Sequence, residues 1–121
     1  METNIQHQEQ LQYAEVYISD MSALKNIFLQ TKNVKKVNLE FGVPFLLVKK
    51  KNEVSGFASL IIQERDKIAF KIYEKPGMSE VEKKNFMSRV ESYFKKNTSP
   101  NFRNSEQLKS SVQKMVNWLN Q

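Results

Sequence analysis

Apolar residues change their spacing along the chain in a way that marks out the elements. Leu11, Ala14, Ile18, Met21, Leu24 and Phe28 recur at intervals of three and four, and neither glycine nor proline interrupts the first 41 residues. That is the repeat of one helix face, so the spacing predicts an N-terminal helix. A competing reading makes Ala14-Glu15-Val16-Tyr17-Ile18 a short strand, with Ser19 or Asp20 capping a helix that runs to about Lys32. From Val37 the period falls to two: Val37, Leu39 and Phe41 alternate with Asn38 and Glu40 before the turn residues Gly42-Val43-Pro44. A half-buried strand is expected there.

Phe45-Leu46-Leu47-Val48 is a continuous apolar run closed by Lys49-Lys50-Lys51, and Asn52-Glu53 turns the chain into a second run from Phe57 to Ile62. After Asp66-Lys67, Ile68, Phe70 and Ile72 alternate with Ala69, Lys71 and Tyr73. Connections this short favour antiparallel neighbours, because a parallel crossover needs a dozen residues or more. Lys75-Pro76-Gly77 ends the sheet, and Ser79 with Glu82 has the capping-box spacing that starts a helix. Phe86, Val90 and Phe94 give that helix an apolar face to about Lys96, with Met87 and Tyr93 at its margins. Past the loop at Asn97–Asn101, Leu108, Val112, Met115 and Leu119 form a last helical stripe with Trp118 beside it. The expected fold is therefore α+β: an N-terminal helix, a four-stranded antiparallel meander, and two C-terminal helices packed on one sheet face. With 121 residues and no internal linker, one domain over 1–121 is expected, its first eight residues frayed.

Composition narrows the chemistry more than the fold. The chain has no cysteine, which excludes disulfides, thiolate nucleophiles and cysteine-based metal sites. Its N-terminus is polar and acidic, without the basic start and apolar run of a secretory signal. No stretch approaches the roughly 20 apolar residues that span a bilayer, so no membrane partner and a cytoplasmic location are expected. The net charge of +6 is unevenly spread: residues 1–34 hold Lys25 and Lys32 against Glu2, Glu9, Glu15 and Asp20, a net of −2, which leaves +8 for the rest. A basic surface attracts nucleic acid, acidic proteins or anionic lipid.

Candidate catalytic groups are sparse. His7, the one histidine, lies in a Gln/Glu-rich terminus, so histidine triads and multi-histidine metal sites are not expected. Glu64 with Asp66 and Glu74 with Glu80 are the carboxylate pairs nearest one another outside a helix, and turn or helix-start placement explains each. The three glycines, at 42, 56 and 77, are not spaced as a phosphate-cradling loop. Gly56-Phe57-Ala58-Ser59-Leu60, the strand from Ile68 to Tyr73, and Lys75-Pro76-Gly77-Met78 leading into a helix do form a recognisable order. Residues 54–96 thus resemble the central segment of the acetyl-CoA-binding N-acetyltransferase superfamily. In that family a loop patterned Arg/Gln-x-x-Gly-x-Gly/Ala holds the cofactor pyrophosphate at a helix start. Here Gly77 stands alone in that pattern, Glu80 and Glu82 would face the phosphates, and a second helix replaces the next strand. The resemblance implies a related fold without the activity, and no cofactor.

Lysines outnumber arginines 16 to 3. Arginine is the usual choice for bidentate phosphate or base recognition, and lysine for solubility and edge protection. Lys49, Lys50 and Lys51, with the aromatics Tyr13, Tyr17 and Trp118, are the candidate interaction surface. By exclusion, the expected function is a non-enzymatic interaction or ligand-binding module of the cell interior, whose partner is another protein or a second copy of the chain. Nucleic-acid binding through the basic surface is the alternative, and a diverged acetyltransferase-like domain without an intact cofactor loop is a further one.

Overall fold

The computed structural model describes residues 11–121, so the expected fraying of residues 1–8 and the reading of His7 lie outside the described residues. The architecture is α+β. Strands β1 (Leu11–Glu15), β2 (Val43–Lys50), β3 (Glu53–Gln63) and β4 (Lys67–Glu74) form one antiparallel sheet in the order β1-β2-β3-β4. Helix α1 (Met21–Lys32) lies between β1 and β2 in sequence, and α2 (Glu80–Lys96), the one-turn α3 (Pro100–Arg103) and α4 (Ser105–Leu119) follow β4.

Two expectations are corrected. The N-terminal helix is present as α1, but it does not run from Leu11: β1 and a 3-10 turn at Ile18–Asp20 precede it. The competing strand reading comes closer, although the strand ends at Glu15. The stripe at intervals of three and four misled because Ile18, one of its members, is 79% exposed. Leu11 and Tyr13 are half-buried while Gln12 and Ala14 are exposed, the alternation of a sheet edge. The Asp20 carboxylate accepts a hydrogen bond from the Tyr17 N–H at 2.9 Å, which reverses the chain into α1.

The second correction is the strand expected at Val37–Phe41, which is a 3-10 turn over Leu39–Phe41. Val37 and Phe41 are buried, but Leu39 is 60% exposed, which breaks the alternation. Local polar chemistry explains the turn: the Asn38 side chain accepts from the Glu40 N–H at 2.9 Å, which competes with extended pairing. The meander therefore has its four strands, with β1 in the place given to this segment.

Helices cover both faces of the sheet, which is why β2 and β3 read as unbroken apolar runs. On one face Leu24, Ile27 and Phe28 of α1 pack with Phe41, Leu47, Phe57 and Tyr73. On the other, Phe86 and Val90 of α2 and Leu108 and Val112 of α4 pack with Leu46, Val48, Ala58 and Leu60. Phe45 and Leu46 are neighbours yet share this second core, because the register of β2 against β3 shifts between Pro44 and Leu46. Such a bulge turns consecutive residues to one side and accommodates a proline that cannot donate to the ladder. The last turn of α4 reaches the first core through Leu119. There the Asn120 amide donates to the Val37 carbonyl at 2.8 Å and accepts from the Val37 N–H at 3.0 Å, tying the end of the chain to the loop before β2.

Ser59 is fully buried, and its hydroxyl has no hydrogen-bond partner among the described residues. A buried unsatisfied hydroxyl costs about 1–3 kcal/mol, so Ser59→Ala is expected to raise stability by about 1 kcal/mol in urea unfolding. A loss of stability would show that the hydroxyl is satisfied in solution.

Glu40 is bonded by Lys32 at 3.0 Å and by Lys71 at 3.1 Å, which joins α1, the 3-10 turn and β4. Its backbone carbonyl accepts the Tyr73 phenol, whose pKa is raised by burial and then by the Glu40 charge. The hydrogen bond from Lys32, followed by that from Lys71, holds the Glu40 carboxyl below its ordinary 4.5. A carboxylate depressed in the folded state stabilises fully above its unfolded pKa and loses that contribution as pH falls through the folded value. Thermal stability should therefore be level above about pH 5 and fall below the ordinary 4.5, and Glu40→Gln should make that acid limb shallower. An unchanged limb would show that Glu40 does not contribute to the acid sensitivity.

Candidate site: a groove between an edge strand and helix α2

β1 lies at one edge of the sheet and, among the described residues, pairs only with β2. Tyr13 projects from it toward α2. Its ring stacks on Phe86 with centroids 6.2 Å apart and planes at 13°, and the Arg89 guanidinium carbon lies 4.3 Å from its centroid. One step along the same face, Glu15 accepts a hydrogen bond from the Tyr93 hydroxyl at 3.1 Å. Tyr93 in turn stacks on Phe45 at 5.6 Å. Burial, then the Glu15 hydrogen bond and charge, push the Tyr93 phenol above its usual range.

Because Tyr13 meets Phe86 and Arg89 while Glu15 meets Tyr93, α2 runs along β1 in the same sense. Between them lies a groove of about 850 Å³ lined by Tyr13, Glu15, Arg89, Ser92, Tyr93 and Lys96, with Asn85, Ser88 and Asn97 completing it. The groove along α1, lined in part by Asp20, Gln30 and Lys49, is smaller, at about 500 Å³. On α2 the positions 85, 88, 89, 92 and 96 form one stripe at helical spacing, beside the buried stripe of Phe86 and Val90. The Ser79–Glu82 capping box starts this helix: Ser79 Oγ accepts from the Glu82 N–H at 3.1 Å and Glu82 Oε1 from the Ser79 N–H at 2.8 Å. Lys50 adds a bond to Glu82 at 3.1 Å. The Ser79 N–H bond and then Lys50 hold the Glu82 carboxyl below its ordinary range.

The six residues expected to form one interaction surface are not brought together. Tyr13 alone lines this groove. Tyr17 is 67% exposed beyond the end of β1, and Trp118 is 48% exposed on the last turn of α4. Lys49 lies in the groove along α1, Lys50 bonds Glu82 and the Gly77 carbonyl, and Lys51 sits in the hairpin turn with φ 56. The apolar stripes of the terminal helices are spent in the core, since Leu24, Ile27 and Phe28 of α1 and Leu108 and Val112 of α4 are buried.

Sequence reasoning missed Arg89, Lys96, Ser88 and Ser92. The available signal was Ser88 and Ser92 in a helix interior, where serine is a weak helix former, one turn apart beside Arg89 and Lys96. The basic surface is divided by carboxylates: Lys75 pairs with Glu53, Lys83 with Glu80, and Lys109 with Asp66 and Glu106. Phe41, Phe45, Phe57 and Tyr73 are buried and Phe70 packs on Phe94, so these aromatics form no stacking platform for bases. At the start of α2 the capping box already occupies two of the amide donors that a cofactor phosphate would need. No group of three or more His, Asp or Glu side chains able to hold a metal occurs among the described residues, and none of their helices is long and apolar enough to cross a membrane. Comparison with protein-family models, with curated proteins and with solved structures found no match.

Proposed function

We propose that the protein is a small, non-enzymatic cytoplasmic interaction module that engages another protein through β1 and the adjoining groove of α2. The observation that carries this reading is the Tyr13–Phe86–Arg89 stack set beside a sheet edge. Tyrosine and arginine held rigidly in one place are the residue types that dominate binding energy at protein interfaces, and packing has already restricted these side chains before a partner arrives. An edge strand adds main-chain donors and acceptors that no side-chain substitution removes. The nucleic-acid alternative rests on net charge, and the acetyltransferase-like alternative on the strand, loop and helix order of residues 54–96, in which Gly77 alone fits the cofactor-loop pattern.

Panning a displayed random dodecapeptide library on the protein tests this reading. Peptides should be enriched on the wild-type chain and lost on the Arg89→Glu variant, which changes an exposed residue and leaves the core untouched. Enrichment that survives Arg89→Glu would place the contact surface elsewhere.

A further inference from the structure

We infer that the occupant of this groove is an extended acidic peptide segment that adds to β1 as a fifth strand, with alternate carboxylates turned toward Arg89 and Lys96. The inference rests on the interaction reading above and names the partner's chemistry.

The two sheet edges differ in how they are guarded. β4 carries Lys67 and Lys71 and is followed directly by Lys75, the charged side chains that discourage a further strand. β1 reads Leu-Gln-Tyr-Ala-Glu, with neither lysine nor proline. A peptide paired to β1 presents every second side chain to the α2 side, about 6.8 Å apart. Arg89 and Lys96, seven positions apart on α2, are separated by about 10.5 Å along its axis. Both side chains are long enough to meet carboxylates two or four residues apart on such a strand.

The charge of the groove favours an acidic occupant. Arg89 and Lys96 make no ion pair with another described residue, while the one lining carboxylate, Glu15, accepts from the Tyr93 hydroxyl. A guanidinium lying over a tyrosine ring keeps its N–H fork available for a carboxylate. Ser88, Ser92 and Asn85 supply further polar contacts along the same wall. A basic peptide would meet both cations instead. A nucleic-acid base would have to compete for the Tyr13 ring with Phe86 and Arg89, which already pack on it.

The test is amide chemical-shift titration of the full chain with three probes: a blocked heptapeptide of alternating glutamate and valine, its lysine counterpart, and a ten-residue thymidine oligonucleotide. The acidic peptide should move the amides of Leu11–Glu15 and Arg89. Arg89→Glu combined with Lys96→Glu should weaken it at least about tenfold, Glu15→Gln should strengthen it, and N-methylating alternate peptide amides should abolish it, since only strand addition needs those groups. Retention of the native thermal transition by the double variant shows that the loss is one of binding. Groove shifts with the lysine peptide or the oligonucleotide but not the acidic one would overturn the acidic occupant and leave the groove reading standing. Binding that survives N-methylation would overturn strand addition. If no probe moves the groove, the acidic-strand inference falls; if library panning is also empty, the interaction reading falls with it.

Discussion

Gly42→Ala is expected to be the most damaging single-methyl change, costing at least about 3 kcal/mol in urea unfolding. Gly42 has φ 66 and ψ −149, a combination that only glycine adopts readily. It is also buried against β3, where an added Cβ would fall 2.0 Å from the Leu60 carbonyl oxygen and 3.0 Å from Ile61 Cγ2. The obstructing atom is backbone in the central strand, so nothing nearby can rotate away. The position closes the Leu39–Phe41 turn and immediately precedes β2, so it joins Phe41 of the α1-side core to the sheet. Gly77→Ala is the matched control: its φ is 116, yet nothing lies within 4 Å of the added carbon. Backbone strain alone should cost that variant about 1 kcal/mol. Equal effects at the two positions would show that steric conflict with Leu60 is relieved in solution.

Phe86→Ala should cost about 3–5 kcal/mol, the range for emptying a buried phenylalanine site. Phe86 is fully buried and packs in the core formed by Leu46, Val48, Ala58 and Leu60 with Val90, Leu108 and Val112. It also carries the Tyr13 ring, so the variant should lose groove binding beyond what its stability explains. Phe86→Leu, which keeps much of the volume, should recover most of the stability but not the stacking. That separates the two roles. A loss under about 1.5 kcal/mol for Phe86→Ala would mean that α2 closes over the vacated space.

The parts of the fold legible in the sequence were those specified by neighbours in the chain. The Ser79–Glu82 capping box, the stripe of Phe86 and Val90, the stripe of Leu108, Val112 and Leu119, and the apolar runs of β2 and β3 all appear where the pattern places them. The failures came where one pattern served two periods. In a strand of five residues followed two residues later by a helical turn, Leu11, Ala14 and Ile18 happen to fall on a helix spacing, although Ala14 and Ile18 are both exposed. At Val37–Phe41 the alternation is genuine in sequence, and the Asn38 side chain with the conformation of Gly42 decides against a strand.

The groove was hidden for a different reason. Tyr13 and Glu15 lie on the first strand, Arg89 and Tyr93 on the second helix, and only the order of strands in the sheet brings them together. Tyr13 stood out as an aromatic, whereas its partners looked like an ordinary solvated helix face. Lys49, Lys50 and Lys51 drew notice as a run, but the pleat and the hairpin turn send them to different surroundings. Three adjacent charges in a strand end do not make a patch.

Amide-shift mapping of the 121-residue chain with the strongest peptide recovered from the display library tests binding at the groove most directly. The largest changes should fall on Leu11–Glu15 and on the α2 residues Arg89, Ser92 and Lys96. Changes centred on the last turn of α4 around Trp118, with β1 and α2 unmoved, would contradict it.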